Sequence, residues 1–248
     1  GLGHLHCFTL DDQAREQIDT GQSWRAKIAA GLEEDRFVLH FQPIVTTATG
    51  IIHHWEVLLR LRDPGGGLAY PDRFMPVAEK TGQILAIDHW VLDRAILCLG
   101  KEPRLRLAIH LSGSAMDDNG LLPTIQRLLG RQRVDPTRLI FQMTEDVAIS
   151  NLVKATDLMK AIEGFGCGFV LDDFGSGHAS YTYLRRLPVD EIKIDGAFVR
   201  DLASNRDDRI FVRSTTEMAH GMGMRVTAKG VGTESVYDIL GELGVDFA

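Results

Sequence analysis

Apolar and polar residues alternate along the segment HHWEVLLRLRD, residues 53–63. Every second residue from Trp55 to Leu61 is apolar, and the positions between them include Glu56 and Arg60. This period of two predicts a β-strand with one apolar face and one face that carries charge. A solvated surface strand would account for the charges equally well, so the role of Glu56 has to be sought in its neighbours.

Short β-rich runs recur along the chain, and helix-like segments lie between most of them. The runs are 37–45, 55–61, 105–112, 138–145, 168–175, 191–196, 224–230 and 244–248. The helix-like segments are 72–82, 88–100, 122–132, 151–166 and 209–223, several of which end in glycine. Strands that alternate with helices predict parallel pairing through crossover connections. Eight such strands predict an α/β fold, a TIM-like (β/α)8 barrel.

The start of this predicted barrel is irregular. Only TTATG, residues 46–50, joins the first two runs, and this is too short for a helix, so the first strand is predicted to be antiparallel. Residues 23–37 predict a helix with Ser23 as its N-cap. We interpret residues 1–22 as a tail or linker from an upstream domain and residues 23–248 as the barrel.

Composition narrows the class of protein. The 248 residues are 44% hydrophobic and 25% charged, which is typical of a globular domain with one sizeable core. The net charge is −7 and no basic run stands out, so a nucleic acid polymer is not expected as a partner. Three scattered cysteines, and no signal peptide or membrane-length apolar stretch, predict a cytoplasmic location. A membrane segment elsewhere in the parent protein remains compatible with this.

Polar residues stand toward the carboxyl ends of the predicted strands, where barrel enzymes build their active sites. They are Glu56, His110, Gln142, Asp172, Asp173, Lys193 and Lys229. Each one taken singly fits a satisfied core polar group or a turn residue. Together they predict a functional site, and its three carboxylates supply the hard oxygen ligands that suit Mg²⁺ or Mn²⁺.

Several motifs resemble the EAL domain, a cyclic di-GMP phosphodiesterase and receptor fold, over residues 25–248. The matching pieces are FQPIV, EVLLR, YPDRFMPVAEKTG, TED, LDDFGSG, LRRLPVDEIKID and AKGVGTES. The name tripeptide reads Glu-Val-Leu here, a mild variant. The first residues of the chain also resemble, weakly, the end of a GGDEF domain, which implies a GGDEF-like neighbour upstream.

The resemblance implies a hydrolase site with two divalent metals that activate water against one phosphodiester of cyclic di-GMP. Glu56 matches the metal ligand of the family signature, and Asp172 and Asp173 match the paired aspartates that ligate or bridge the metals. Lys193 matches the lysine that positions water and phosphate. Glu145 matches a glutamate that holds the loop after Asp173, which also forms part of the family's dimer contact and implies a homodimer.

Three metal-ligand positions depart from the family pattern. His110 stands where the family has asparagine, Gln142 where it has glutamate, and Lys229 where it has a second glutamate, with Gly232 replacing a further one. The family's set sums to about −4, which two divalent cations neutralise, whereas the set here sums to about −1. We therefore expect the metal site to be a remnant. Lys229 would take the vacated space and pair with Glu56 or an aspartate.

Nucleotide binding is a separate matter from cleavage. By resemblance, Gln42 and Arg60 would contact the guanine–phosphate framework, Asp88 would accept from a guanine edge, and Leu58 would offer an apolar surface to a base. A guanidinium suits a phosphate well. A salt bridge from Arg60 to Glu56 or an aspartate is the alternative interpretation.

The prediction for function is a catalytically inactive or strongly impaired EAL-like domain that senses cyclic di-GMP or acts as a regulatory interaction module. Two alternatives stay open. One is an active phosphodiesterase that yields the linear dinucleotide with Mg²⁺ or Mn²⁺, and the other is a scaffold that binds no nucleotide. No cofactor is expected in the inactive form. The chain stops before the family's Gln-Gly-aromatic motif, so the C-terminal end of the family pattern is expected to be lacking.

Overall fold

The computed structural model describes residues 12–177 and 181–248. The chain divides into two compact units. One comprises the described residues up to Val38 together with Leu59–Ile87, and the other comprises Leu39–Leu58 and Asp88–Ala248. Within the described part, no helix combines the length and apolarity needed to cross a bilayer.

The described strands and helices follow the predicted order closely. The strands are Phe37–Val45 (β1), Ile52–Arg62 (β2), Leu68–Ala69 (β3), Leu107–His110 (β4), Leu139–Thr144 (β5), Gly168–Phe174 (β6), Glu191–Ile194 (β7) and Arg225–Ala228 (β8). The helices are Asp12–Glu33 (α1), Pro71–Thr81 (α2), Ile84–Lys101 (α3), Leu121–Gln132 (α4), Glu145–Ser150 (α5), Leu152–Gly164 (α6), Tyr181–Leu184 (α7), Arg206–Gly221 (α8) and Glu234–Glu242 (α9). Short 3₁₀ helices occupy Gly113–Asp117, Pro136–Arg138 and Gly196–Phe198.

The first unit is a small α-helical and β-hairpin assembly. Helix α2 starts at Pro71, whose fixed φ suits the first turn, and stops at Gly82, whose φ of 72° favours glycine. Phe74 of this helix is fully buried, and its ring lies 6.4 Å from that of Trp24 in α1. The prediction of Ser23 as an N-cap is wrong, because α1 begins at Asp12 and Ser23 lies inside it. Residues 1–11 of the predicted tail lie outside the described residues.

The second unit contains the curled, mostly parallel sheet. Strands β4, β5, β6, β7 and β8 pair in parallel in sequence order, and β4 also pairs in parallel with β2. Its core includes Ala108, Ile140 and Val170, which pack together from three neighbouring strands. Strand β1 lies antiparallel beside β2, connected by a tight turn in which Thr46 N donates to Ile51 O at 2.9 Å. The predicted α/β, TIM-like fold with an antiparallel first strand is confirmed.

The last predicted strand, 244–248, forms only isolated bridges. Phe247 bridges Thr227 in parallel and Thr46 in antiparallel orientation. Ala228 N donates to Phe247 O, and Val45 and Ala248 exchange two backbone hydrogen bonds, all at 2.9 Å. These few residues therefore connect β8 to β1, the two end strands of the sheet.

Candidate functional site

The polar residues predicted from the strand ends come together in the second unit. Their backbones are fixed by the parallel register, in which Glu56 pairs with Ala108, His110 with Gln142, and Lys193 with Thr227. In a parallel sheet the carboxyl ends of the strands meet at one edge, so these side chains can reach one another.

Glu56 is the centre of one hydrogen-bonded group. Its Oε1 lies 2.8 Å from His110 Nε2, and its Oε2 accepts from Lys193 Nζ at 2.6 Å. Lys193 also donates to Gln142 Oε1 at 3.4 Å. Burial alone raises the pKa of the Glu56 carboxyl, but the His110 hydrogen bond and the Lys193 charge outweigh it and hold the pKa well below its usual range. Glu56 is therefore ionised and paired at neutral pH.

Lys229 forms a second ionic group with the paired aspartates. Its Nζ lies 3.0 Å from Asp172 Oδ1 and also donates to Asp173 Oδ1. Burial lowers the pKa of the Lys229 ammonium, but the charge of Asp172 and the bond to Asp173 raise it above its usual value. The lysine that replaces an acid of the family pattern thus pairs with the aspartates rather than with Glu56.

A strand irregularity lets both aspartates face the same lysine. Neighbouring residues of a regular strand point to opposite faces, so Asp172 and Asp173 would normally diverge. Here Asp173 has a left-handed φ of 55°, and the β6–β7 register shifts between Leu171 and Phe174. Such bulges redirect side chains.

Three of these residues have the donor chemistry of a metal site. Glu56, His110 and Asp172 each offer one ligand atom within 4.8 Å of the others. Asp172 is fully buried, and its Oδ2 has no hydrogen-bond partner among the described residues. The set fits one cation. A second ion would need the space and the charge that Lys229 and Lys193 already occupy.

Glu145 contacts the loop that follows β6. Its carboxylate is fully buried, accepts from Gly175 N at 2.9 Å and accepts from the Tyr183 hydroxyl. Gly175 has a φ of 95°, and a Cβ there would meet the Phe211 ring at 2.6 Å. The backbone immediately after the Asp pair is therefore fixed from both sides. The predicted dimer contact falls on this loop, and residues 178–180 of the loop lie outside the described residues.

The predicted nucleotide contacts fall in both units. In the second unit, exposed Gln42 lines a cavity of about 380 Å³ together with Glu56, Lys193 and Lys229, while Leu58 is half-buried on β2. In the first unit, the Arg60 guanidinium lies 4.5 Å from the centre of the exposed Tyr70 ring. This stack holds the guanidinium by a cation–π contact.

Asp88 is buried, and its carboxyl has a higher pKa than an exposed aspartate. It accepts from Ser112 Oγ at 2.5 Å and from Ser112 N at 3.3 Å. Burial raises the pKa of this carboxyl to about 6, against the lowering effect of the two Ser112 bonds.

A family model matches most of the chain. The model described as EAL domain covers residues 25–248. The chain belongs to the EAL domain family. It resembles the bifunctional diguanylate cyclase/cyclic di-GMP phosphodiesterase MucR of Pseudomonas aeruginosa, with 33% identity over 247 residues. That match covers 96% of this chain and 36% of MucR, so the chain spans about a third of this relative's length.

Solved EAL domains share the fold. A PaMucR phosphodiesterase in complex with c-di-GMP has a TM-score of 0.84 and 34% identity, covering 91% of this chain and 93% of that one. The FimX EAL domain from Pseudomonas aeruginosa bound to c-di-GMP has a TM-score of 0.85 and 31% identity, covering 90% and 92%. Most relatives of this EAL domain are thus cyclic di-GMP phosphodiesterases or binders.

Three residues that contact a predicted site residue or line the cavity of the EAL domain were not predicted from sequence. Ser112 holds Asp88, and Tyr70 supports Arg60. Tyr237, in α9, lines the 380 Å³ cavity and donates to Thr46 O at 2.9 Å. Ser112 stands two residues after His110 at a strand end, a position that is itself a usable signal. Tyr237 carries no such signal, because α9 was not among the predicted helices.

Proposed function

We propose that this EAL domain binds cyclic di-GMP as a regulatory receptor and hydrolyses it slowly or not at all. The observation that carries this proposal is the Lys229 ammonium, 3.0 Å from Asp172 and bonded to Asp173. Phosphodiesterases of this family use Mg²⁺ or Mn²⁺. In this chain an ammonium already pairs with one oxygen of each of the two aspartates that would share those ions.

Charge counting supports the loss of two-metal chemistry. Two ions in such sites hold the attacking and leaving oxygens of an in-line displacement, and each must be balanced by anionic ligands. Glu56, Asp172 and Asp173 contribute three negative charges here, and Lys193 and Lys229 contribute two positive charges. The remaining net charge of about −1 is too small for two divalent cations.

The proposed affinity for cyclic di-GMP rests on residues other than the metal-ligand positions. Gln42 is exposed and lines a cavity of about 380 Å³, where its side-chain amide can donate to a phosphate oxygen or a base edge of cyclic di-GMP. Arg60 adds a guanidinium suited to phosphate. The solved relatives carry c-di-GMP on the same fold.

Titration calorimetry with cyclic di-GMP, with and without Mg²⁺ or Mn²⁺, tests the proposal when paired with chromatography of the nucleotide. We expect saturable binding that needs no metal and linear dinucleotide at background level. A Gln42→Ala variant should bind more weakly, whereas Lys154→Ala, at an exposed ion pair with Asp117, should bind normally. Efficient metal-dependent cleavage by the unmodified chain would overturn the proposal, and so would the absence of binding, which would favour the scaffold.

Active hydrolysis is the second candidate, and the cluster of Glu56, His110 and Asp172 favours it. One metal held by these three ligand atoms would act as a Lewis acid toward a phosphodiester. Cleavage that disappears in Glu56→Gln would support this candidate over the receptor.

We also propose what kind of protein contains this domain and how the domain assembles. We place the domain in a longer cytoplasmic signalling protein with a GGDEF-like neighbour upstream, as the opening residues suggest. A homodimer through the loop after Asp173 is the proposed assembly. Size-exclusion chromatography with light scattering, with and without cyclic di-GMP, checks the dimer, and a monomer at all concentrations would exclude it.

A further inference from the structure

Glu56, His110 and Asp172 each offer one ligand atom, and the three atoms lie within 4.8 Å of one another. From their arrangement we propose that these residues form a single-ion site selective for a transition metal such as Zn²⁺ over Mg²⁺. The inference concerns metal binding by this chain's own residues and does not depend on whether the domain binds or cleaves nucleotide.

Lys193 and Lys229 each pair with one oxygen of a carboxylate and leave the other oxygen of that carboxylate free of a lysine contact. Lys193 Nζ lies 2.6 Å from Glu56 Oε2, and Lys229 Nζ lies 3.0 Å from Asp172 Oδ1. The other two oxygens, Glu56 Oε1 and Asp172 Oδ2, lie 2.8 Å and 3.7 Å from His110 Nε2. Each carboxylate is thereby neutralised on one oxygen and presents the other to the imidazole. An ion bound here would replace the hydrogen bond between His110 Nε2 and Glu56 Oε1, so that two carboxylate oxygens and one nitrogen share the ion.

An unsatisfied polar atom points to a ligand at this place. Asp172 is fully buried, and its Oδ2 has no hydrogen-bond partner among the described residues. A buried anionic oxygen without a partner is costly, because burial removes the water that would otherwise solvate it. A cation between Asp172 Oδ2 and His110 Nε2 would satisfy this oxygen directly.

The spacing suits a four-coordinate ion. Zinc binds nitrogen and carboxylate oxygen at about 2.0–2.2 Å, which separates tetrahedral ligand atoms by about 3.3–3.5 Å. The two distances from His110 Nε2, 2.8 Å and 3.7 Å, bracket that range, and the three ligand atoms lie within 4.8 Å of one another. Three protein ligands leave the fourth position open. The His110 side chain is 39% exposed, so an ion can reach the site from solvent.

The imidazole sets the metal preference. Mg²⁺ demands near-octahedral oxygen coordination and retains its waters, whereas imidazole suits zinc and other first-row transition metals. His110 stands where the family pattern has asparagine, an oxygen donor. Replacement of an amide oxygen by a ring nitrogen shifts the preference from the hard ion to the softer one. One divalent ion would also change the net charge of the site only from about −1 to about +1.

Calorimetry on the metal-stripped chain tests the inference, with Zn²⁺ and Mg²⁺ as separate titrants. The variants are His110→Asn and, as a matched control, His40→Asn, which removes an exposed histidine of β1 outside the site. We expect Zn²⁺ affinity to fall at least tenfold in His110→Asn and to stay unchanged in His40→Asn. Because the chain has nine histidines, the difference between variants is the readout rather than the total number of ions bound.

Cobalt provides a second readout that reports geometry. Co²⁺ in the unmodified chain should show the visible absorption of a four-coordinate site, and Asp172→Asn and His110→Asn should both lose it. The inference is overturned if Mg²⁺ binds the unmodified chain as tightly as Zn²⁺, if Zn²⁺ shows no saturable binding, or if His110→Asn binds Zn²⁺ like the unmodified chain. A retained melting curve for each variant ensures that lost binding is not lost folding. Nucleotide titrations are scored separately, so failure here leaves the receptor proposal intact.

Discussion

Removal of the Lys229 ammonium should destabilise the second unit far more than removal of an ordinary surface lysine. In Lys229→Ala, the fully buried Asp172 loses its cation while Asp173 loses a hydrogen bond. Breaking a fully buried ion pair costs about 3–5 kcal/mol, because a charge is left without compensation. The Lys229 side chain is 30% exposed, so water offsets part of that cost, and we expect about 2 kcal/mol.

Thermal and urea unfolding at pH 7 measure this loss. For a domain of this size, about 2 kcal/mol corresponds to a decrease in Tm of about 4–8 °C. The pKa of Lys229 is raised by folding, so its stabilisation is complete below the unfolded pKa of about 10.4 and is fully present at neutral pH. Lys154→Ala is the matched control, since Lys154 pairs with Asp117 on the surface and should cost less than about 1 kcal/mol.

The unfolding measurements distinguish a Lys229 ammonium that neutralises the aspartates from a Lys229 side chain that is merely solvated. A divalent cation added to Lys229→Ala should restore part of the lost stability, because it replaces the missing positive charge beside Asp172. If Lys229→Ala melts at the same temperature as the unmodified chain, or no lower than Lys154→Ala, the carboxylates do not depend on this ammonium and the reasoning is wrong.

Three further predictions concern Glu56, Asp88 and the metal-ligand positions. Folding lowers the pKa of Glu56, so its stabilisation is complete above the unfolded pKa of about 4.3 and is lost as the pH falls toward the folded pKa. The stability difference between the unmodified chain and Glu56→Gln in urea should therefore be constant from pH 7 to 5 and narrow in stronger acid; a gap that widens there would contradict the assignment. Folding instead raises the pKa of Asp88 to about 6, so the unmodified chain should lose stability relative to Asp88→Asn as the pH rises from about 4 through 6. NMR titration of the Asp88 carboxyl should show its midpoint near 6, and a midpoint near 4 would refute the effect of burial. Finally, Lys229→Glu alone should not give hydrolysis, whereas its combination with Gln142→Glu and His110→Asn should recover metal-dependent cleavage, measured as linear dinucleotide; substantial turnover by the single variant would show that charge at one position decides activity.

Much of the fold is encoded in local patterns that the sequence displays. Strand β2 was predicted from its period of two, and the predicted first run, 37–45, coincides with β1. The two-residue β3 is too short to show any period, and it exists because it pairs with β2. Ser23 fits an N-cap, but serine is tolerated inside helices, and α1 continues through it.

The sequence predicted that the site residues lie at the same end of the sheet, but it did not predict which side chains pair with one another. The carboxyl ends of parallel strands meet, so residues such as His110 and Lys193 could be placed together from sequence. The contact of Lys229 with both aspartates depends on the bulge at Asp173, a backbone feature that no sequence period reveals. The stack of Arg60 on Tyr70 likewise depends on a loop conformation that no strand pattern specifies.

The junction at residues 246–248 bears on how the domain folds during synthesis. Thr47 and Val245 are in contact across 198 positions of sequence, so β1 leaves the ribosome long before its last neighbour exists. At translation rates of about 5–20 residues per second, that interval lasts about 10–40 s. Throughout it the outer edge of β1 is without the two backbone hydrogen bonds that Val45 later forms with Ala248. Contacts between residues this far apart in sequence slow folding, and they leave strand edges open to aggregation until both partners have been synthesised.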